Sequence, residues 1–117
     1  MNHNLNANII INRIKTAASD MESSADLCDQ CGSDVTANNI RDVARNIYDS
    51  VTLDSSSKDF DRELSDLDNY IYDMDRNGFD VTARKLMDYY YILQSSIREL
   101  DTLQPSFHTG RNFFPVR

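Results

Sequence analysis

VTARKLMDYYYILQSSIRELDTL, residues 81–103, decides the fold of this chain. Leu86, Tyr90, Leu93, Ile97 and Leu100 recur at steps of four, three, four and three. That spacing draws one apolar stripe along an α-helix, and no Gly or Pro interrupts it. At 1.5 Å per residue such a helix runs about 35 Å, the length of a small bundle. A stripe this long needs partners, and three earlier stretches supply them.

Ala7, Ile10, Ile14, Ala17 and Met21 predict a first helix over 5–23, and Ala17 and Ala18 allow a neighbour to approach closely. Ile40, Ala44, Ile47 and Val51, widened by Val43, predict a second over 36–53. Phe60, Leu64, Leu67, Ile71 and Met74 predict a third over 58–77. Between the first two, Ser23 to Asp34 reads as a connection, because it is polar and holds Gly32. Asp34 or Thr36 is placed to cap the second helix, and Asp80 or Thr82 to start the fourth. Asp54-Ser-Ser-Ser57 stops the second helix, since serines compete for backbone hydrogen bonds. Asn77-Gly78 stops the third, because both residues tolerate positive φ.

Four amphipathic segments with short connections predict an all-α, up-down-up-down four-helix bundle over 1–104. A three-helix core with a loose first segment is the structural alternative. Pro105 ends the last helix, and 105–117 forms an aromatic and basic tail with no stripe. The scarcity of Gly (three) and Pro (two) in 117 residues disfavours turn-rich sandwiches and barrels.

The net charge is −7, and nine acids against three bases between Asp54 and Asp80 account for −6 of it. A chain this acidic is poorly suited to neutralising phosphates or to docking on an anionic membrane. Two readings remain for the charge: a solvated face, or a docking surface for a basic patch on a partner. No stretch approaches the roughly 20 apolar residues of a membrane-crossing helix. Ile9-Ile10-Ile11 is too short for a signal-peptide core, so the chain is expected to be non-exported or already processed.

Four groups of residues invite chemistry. Asp73-Met-Asp75-Arg-Asn77-Gly78 matches the first half of an EF-hand calcium loop. Its second half departs from that pattern, with Asp80 at the apolar position and Arg84 where a bidentate Glu belongs, which leaves weak calcium binding through carboxylates. Cys28-Asp-Gln-Cys31 lacks the second Cys pair of a structural zinc site and the strands of a thioredoxin site. It reads as a small loop disulfide in an oxidising compartment or as two free thiols in a reducing one; the polar surroundings favour the disulfide. Tyr89-Tyr90-Tyr91 places Tyr90 in the core stripe and its neighbours on nearly opposite flanks, either as half-buried packing or as interface residues. Phe113 and Phe114 in the tail, beside Arg111, are placed to fold back on the bundle or to anchor in a partner groove.

No nucleophile–base pair, Gly-rich phosphate loop or Glu-x-x-His ligand set is present, so the sequence favours a non-enzyme without cofactor. The expected docking residues are Asp61, Asp66, Asp68, Asp73, Tyr89, Arg111, Phe113 and Phe114, facing subunits of a protein complex. The competing readings are an acidic inhibitor that mimics nucleic acid and a calcium-binding regulator.

Ile40 to Leu103 resembles the helical core of PsbQ-like extrinsic subunits of photosystem II. The shared features are Leu64-Ser-Asp-Leu67 in an Asp-rich third helix, Ala83-Arg-Lys85, the adjacent Tyr89-Tyr90, and the closing Leu100-Asp101. Lys85 lies further from the tyrosines than in that family, and the Cys pair and the tail have no counterpart in its pattern. The resemblance implies a four-helix bundle in the thylakoid lumen, peripheral to a membrane complex and without catalysis of its own. Its implied role is to stabilise the oxygen-evolving side by docking on other subunits. An oxidising lumen would suit a Cys28–Cys31 disulfide. Without the resemblance, a cytoplasmic location is the expectation.

Overall fold

The computed structural model describes residues 2–30 and 34–103. Helix α1 spans Asn2–Gln30, α2 Asp34–Ser50, α3 Asp61–Arg76 and α4 Asp80–Thr102, with a 3₁₀ turn at Ser57–Phe60 leading into α3. There is no strand among the described residues. The chain is an all-α four-helix bundle. Helix α1 lies between α2 and α4, and α3 packs chiefly on α4 and less on α2.

The stripes read from the sequence form the core. Ile14, Met21, Ile40, Ile47, Leu67, Ile71, Met74, Leu86, Leu93, Ile97 and Leu100 are all but fully enclosed. Burying a side chain of this size is worth about 1.5–3 kcal/mol relative to leaving it in water. Ala17, Ala18, Ala25, Ala37, Ala44 and Ala83 are buried between the larger groups. These methyls let the backbones approach without a void.

Three ion pairs join α1 to its neighbours, and two of them establish that α2 runs antiparallel to it. Arg13 of α1 meets Glu99 near the end of α4 at 2.8 Å. Glu22 and Asp26 of α1 meet Arg45 and Arg41 of α2, both at 2.9 Å. As the number rises along α1, its partner's number falls in α2. Asn46 near the end of α2 donates to Glu63 near the start of α3 at 2.8 Å, so that pair is antiparallel too.

The largest departure from expectation is in α1. It does not end near residue 23 but continues through the serines to Gln30. The reason lies in the spacing: Met21 and the small Ser24 and Ala25 keep the three- and four-residue steps and are buried. The ion pairs to Arg41 and Arg45 then fasten this added turn to α2. The predicted connection over 23–34 therefore shrinks to the few residues around Gly32. Helix α2 begins at Asp34, earlier than predicted, which places Thr36 inside its first turn.

Two turns follow their sequence signals closely. After Ser50, the backbone N–H of Thr52 donates to Ser55 Oγ at 2.9 Å, and the N–H of Asp54 to Thr52 Oγ1 at 3.3 Å. These short side chains take the bonds that another helical turn would have used. The N–H of Ser56 then donates to the Asp59 carboxylate at 3.0 Å, while Phe60 enters the core and turns the chain into α3. The predicted third helix thus starts as 3₁₀ and becomes α only at Asp61.

At the far end of α3, Gly78 adopts φ +96°, and it is the one described residue in the left-handed region. The N–H of Phe79 reaches back to Met74 O, and that of Gly78 to Asp75 O, both at 3.1 Å. This pair of bonds is a Schellman closure, and it satisfies two carbonyls that the helix end leaves open. Phe79 precedes α4 with no side-chain cap, and Asp80 is already its first helical residue. Asp80 therefore contributes its charge to the positive end of α4 and not a capping bond.

Candidate functional site

Helix α3 carries the acids, and its geometry divides them. Asp61, Asp68 and Asp75 recur every seven residues, so they share one flank with little drift. That flank faces α4. Asp66 and Asp73 also lie seven apart, but Asp66 is two positions from Asp68 and about 200° of helix turn separates neighbours at that spacing. They belong to the flank nearer α2, with Glu63. The four predicted docking acids are thus two rows on one helix, not a single patch.

Asp61, Asp68, Asp73 and Asp75 are exposed, and Asp66 is half-buried. Among the described residues no acid of α3 forms an ion pair; the three pairs present all join α1 to α2 or α4. Asp61 sits in the first turn of α3, where the helix dipole favours it. Asp73 and Asp75 sit in the last turn, where the dipole opposes them. Glu63 and Asp66, three apart, add like-charge repulsion.

Between α3 and α4 runs a groove of about 440 Å³. Its floor is apolar, from Ile71, Ala83 and Met87. Asp68, Asp75 and Asp80 stand along it with Arg84, and Tyr72 forms part of its rim. The Tyr72 ring is 60% exposed, and the Arg76 guanidinium lies 5.7 Å from its centre. Tyr91 continues the α4 row of Asp80, Arg84 and Met87 at steps of four, three and four, and it too is exposed. Its ring meets Tyr90 edge-on at 5.7 Å. Burial pushes the Tyr90 phenol above its ordinary range, and the nearby Asp68 carboxylate adds to the shift.

Tyr89, predicted to join the docking acids, faces the other way. It lines a second groove between α1 and α4, of about 320 Å³, with Ile9, Arg13, Ala17, Asp20 and Ile92. Sequence reasoning missed Tyr72, Asp75 and Met87 as one cluster. The signal was available in the heptad row Asp61–Asp68–Asp75 and in the α4 steps just named.

The calcium-loop expectation does not fit this geometry. Asp73 and Asp75 lie inside α3, and only Asn77 and Gly78 are in the turn, so their oxygens do not converge as a loop would bring them. Among the described residues, no group of three His, Cys, Asp or Glu side chains is placed to hold a metal ion. The backbone at Cys28 is helical, whereas Cys31 lies outside the described residues, as do Arg111, Phe113 and Phe114. No helix among the described residues is long and apolar enough to cross a membrane. Comparison of the chain with protein-family models, with curated proteins and with solved structures returned no match.

Proposed function

We propose that this chain is a non-enzymatic binding subunit that presents the two acidic rows of α3 to basic surface of a protein partner. The observation that carries this reading is the state of the α3 acids. They are mostly exposed, they form no ion pair among the described residues, and two of them stand at the unfavourable end of the helix dipole. Asp61 aside, folding does not account for them, since the fold would lose little or gain if they were neutral. A cationic partner does account for them, through complementary charge that steers association and fixes register.

The narrow form of the reading is an extrinsic photosystem II subunit that stabilises the oxygen-evolving side. The sequence resemblance over Ile40–Leu103 supports it, as does the bundle architecture that the resemblance implies.

Capture from a source extract tests the reading. The tagged chain and an Asp61→Asn/Asp66→Asn/Asp68→Asn/Asp73→Asn variant are each loaded, then washed at rising salt. The expected result is a defined partner retained by the first, lost with the variant, and released as the Debye length shrinks from about 10 Å at 0.1 M salt to about 3 Å at 1 M. Photosystem subunits among the retained proteins would support the narrow form. A nuclease displaced by DNA would instead support nucleic-acid mimicry. Equal retention by both chains would overturn the docking role of the α3 acids.

A further inference from the structure

We infer that the α3/α4 groove seats one amphipathic, basic helix of a partner protein, packed alongside α3 and α4 as a fifth helix of the bundle. This seat rests on the acid-mediated docking proposed above and narrows it to one of the two acidic rows. The walls of the groove repeat in heptads. On α3, Asp61, Ser65, Asp68, Tyr72 and Asp75 follow one another at steps of four and three, and all five are exposed. On α4, Asp80, Arg84, Met87 and Tyr91 keep the same steps. Each row lies one position after the core stripe of its own helix, about 100° further around the axis. Steps of four and three are those of a seam that one helix buries against another. Among the described residues, nothing covers the α3 row.

Charge and floor choose the occupant. Asp68, Asp75 and Asp80 against the single guanidinium of Arg84 leave the groove net negative. Phosphate-bearing partners are repelled, and so is a second copy of this chain, whose net charge is −7. The floor of Ile71, Ala83 and Met87 calls for apolar contact, which a simple cation does not offer. A cationic chain with an apolar stripe satisfies both. Spacing makes that chain a helix. Asp68 and Asp75 stand about 10.5 Å apart along α3. One heptad of a docked helix rises by the same amount, so Lys or Arg at every seventh place meets one carboxylate after another. An extended strand covers that distance in about three residues, an odd number that turns the next side chain away. The row from Asp61 to Asp75 spans fourteen residues, about 21 Å or four turns of such a helix. The exposed rings of Tyr72 and Tyr91 add aromatic anchors on which a partner's guanidinium groups can stack.

The test uses the full chain and a synthetic helix about three heptads long, with Leu at the two apolar positions and Lys beside them. Its lysines keep the probe from pairing with itself. The control peptide holds the same residues, shuffled so that no stripe forms. The probe is expected to bind about tenfold more tightly than the control. It should shift the backbone amides of Tyr72, Ala83, Arg84 and Met87 in NMR spectra and leave Ile9 and Ile92 unmoved. Asp68→Asn/Asp75→Asn should weaken the probe about tenfold, and Asp66→Asn/Asp73→Asn, which removes as much charge from the other row, by less than about twofold. Asp68 and Asp75 are exposed, so the bundle survives their change. Equal affinity for the shuffled peptide would reduce the contact to net charge and overturn the proposal. Equal weakening by the two variants, or more by the second, would overturn this seat and leave acid-mediated docking standing. No binding of the probe, or shifts at Ile9, Thr16 and Ile92, would overturn it as well. A sedimenting mass that grows with concentration and is lost in Asp68→Asn/Asp75→Asn would assign the groove to a second copy, which also contradicts it. No extract enters this test, so the seat can fail while the capture experiment succeeds, and the reverse.

Discussion

Helices α1 and α3 use the same kind of residue for opposite ends. On α1, the half-buried carboxylate of Glu22, the exposed one of Asp26 and the guanidinium of Arg13 each reach a partner on a neighbouring helix. Lys15 adds a contact over the Tyr48 ring at 4.8 Å. On α3, the carboxylates are more numerous, and none is ion-paired among the described residues. Helix α1 also packs broadly against two helices, whereas α3 leans mainly on α4. The difference teaches that charge on a bundle surface is not one category. Charge that the fold uses is paired across a helix seam; charge left unpaired, and set against a dipole, asks for an explanation outside the fold.

The largest test of this contrast is in the core. Ile14→Ala in α1 and Leu67→Ala in α3 remove side chains that are both fully buried. Each is expected to cost about 2–5 kcal/mol, with Leu67→Ala nearer the lower end, because a helix held chiefly on one side can shift to close the cavity. Urea unfolding measures both, and a larger loss at Leu67 would break the contrast. Native-state hydrogen exchange sharpens it: amides of α3 should open at a lower free energy than those of α1.

Next in size is the hinge between α3 and α4. Nothing lies within 4 Å of a Cβ added at Gly78, so Gly78→Ala meets no clash. Its cost is the positive φ alone, about 1 kcal/mol, read as a lower thermal midpoint. A stabilised variant would mean that the turn relaxes out of its Schellman geometry.

A smaller effect is expected at Arg13, whose exposed pair with Glu99 is worth about 0.2–1 kcal/mol. A double-mutant cycle of Arg13→Ala with Glu99→Ala measures it, and the coupling should shrink in salt.

The smallest effect is one of pH. Tyr90 has its folded pKa raised, first by burial and then by Asp68. The folded state therefore holds its proton more tightly than the unfolded state, whose phenol titrates near pH 10. The resulting stability is intact below that pH and is lost as pH rises from there through the folded pKa. Asp68→Asn should lower the Tyr90 midpoint in an absorbance titration, and Tyr90→Phe should remove this part of the alkaline loss.

The bundle was legible because its stripes are long and regular. Leu86 to Leu100 and Phe60 to Met74 mark a buried face in any helical reading, and every one of the α4 stripe residues is buried. The end of α1 was not legible, because Ser23 and Ser24 look like loop residues when read singly. Only the presence of α2, with Arg41 and Arg45, makes the turn from Met21 to Asp26 worth forming. The docking face was half legible. Charge density along the chain located α3, but the division into two flanks needs the angle around the axis. Tyr89 was grouped with the acids because tyrosine is enriched at interfaces, while its side chain lies on the α1 side of α4.

The central claim is that the α3 acids serve binding and not folding. Urea unfolding of Asp66→Asn/Asp68→Asn/Asp73→Asn tests it most directly; Asp61 is left in place because it favours the start of α3. The account predicts a midpoint equal to that of the unaltered chain or above it, since removing unpaired like charges relieves repulsion. A midpoint lower by the equivalent of more than about 1 kcal/mol, at unchanged slope, would show these carboxylates to be part of the fold and contradict the account.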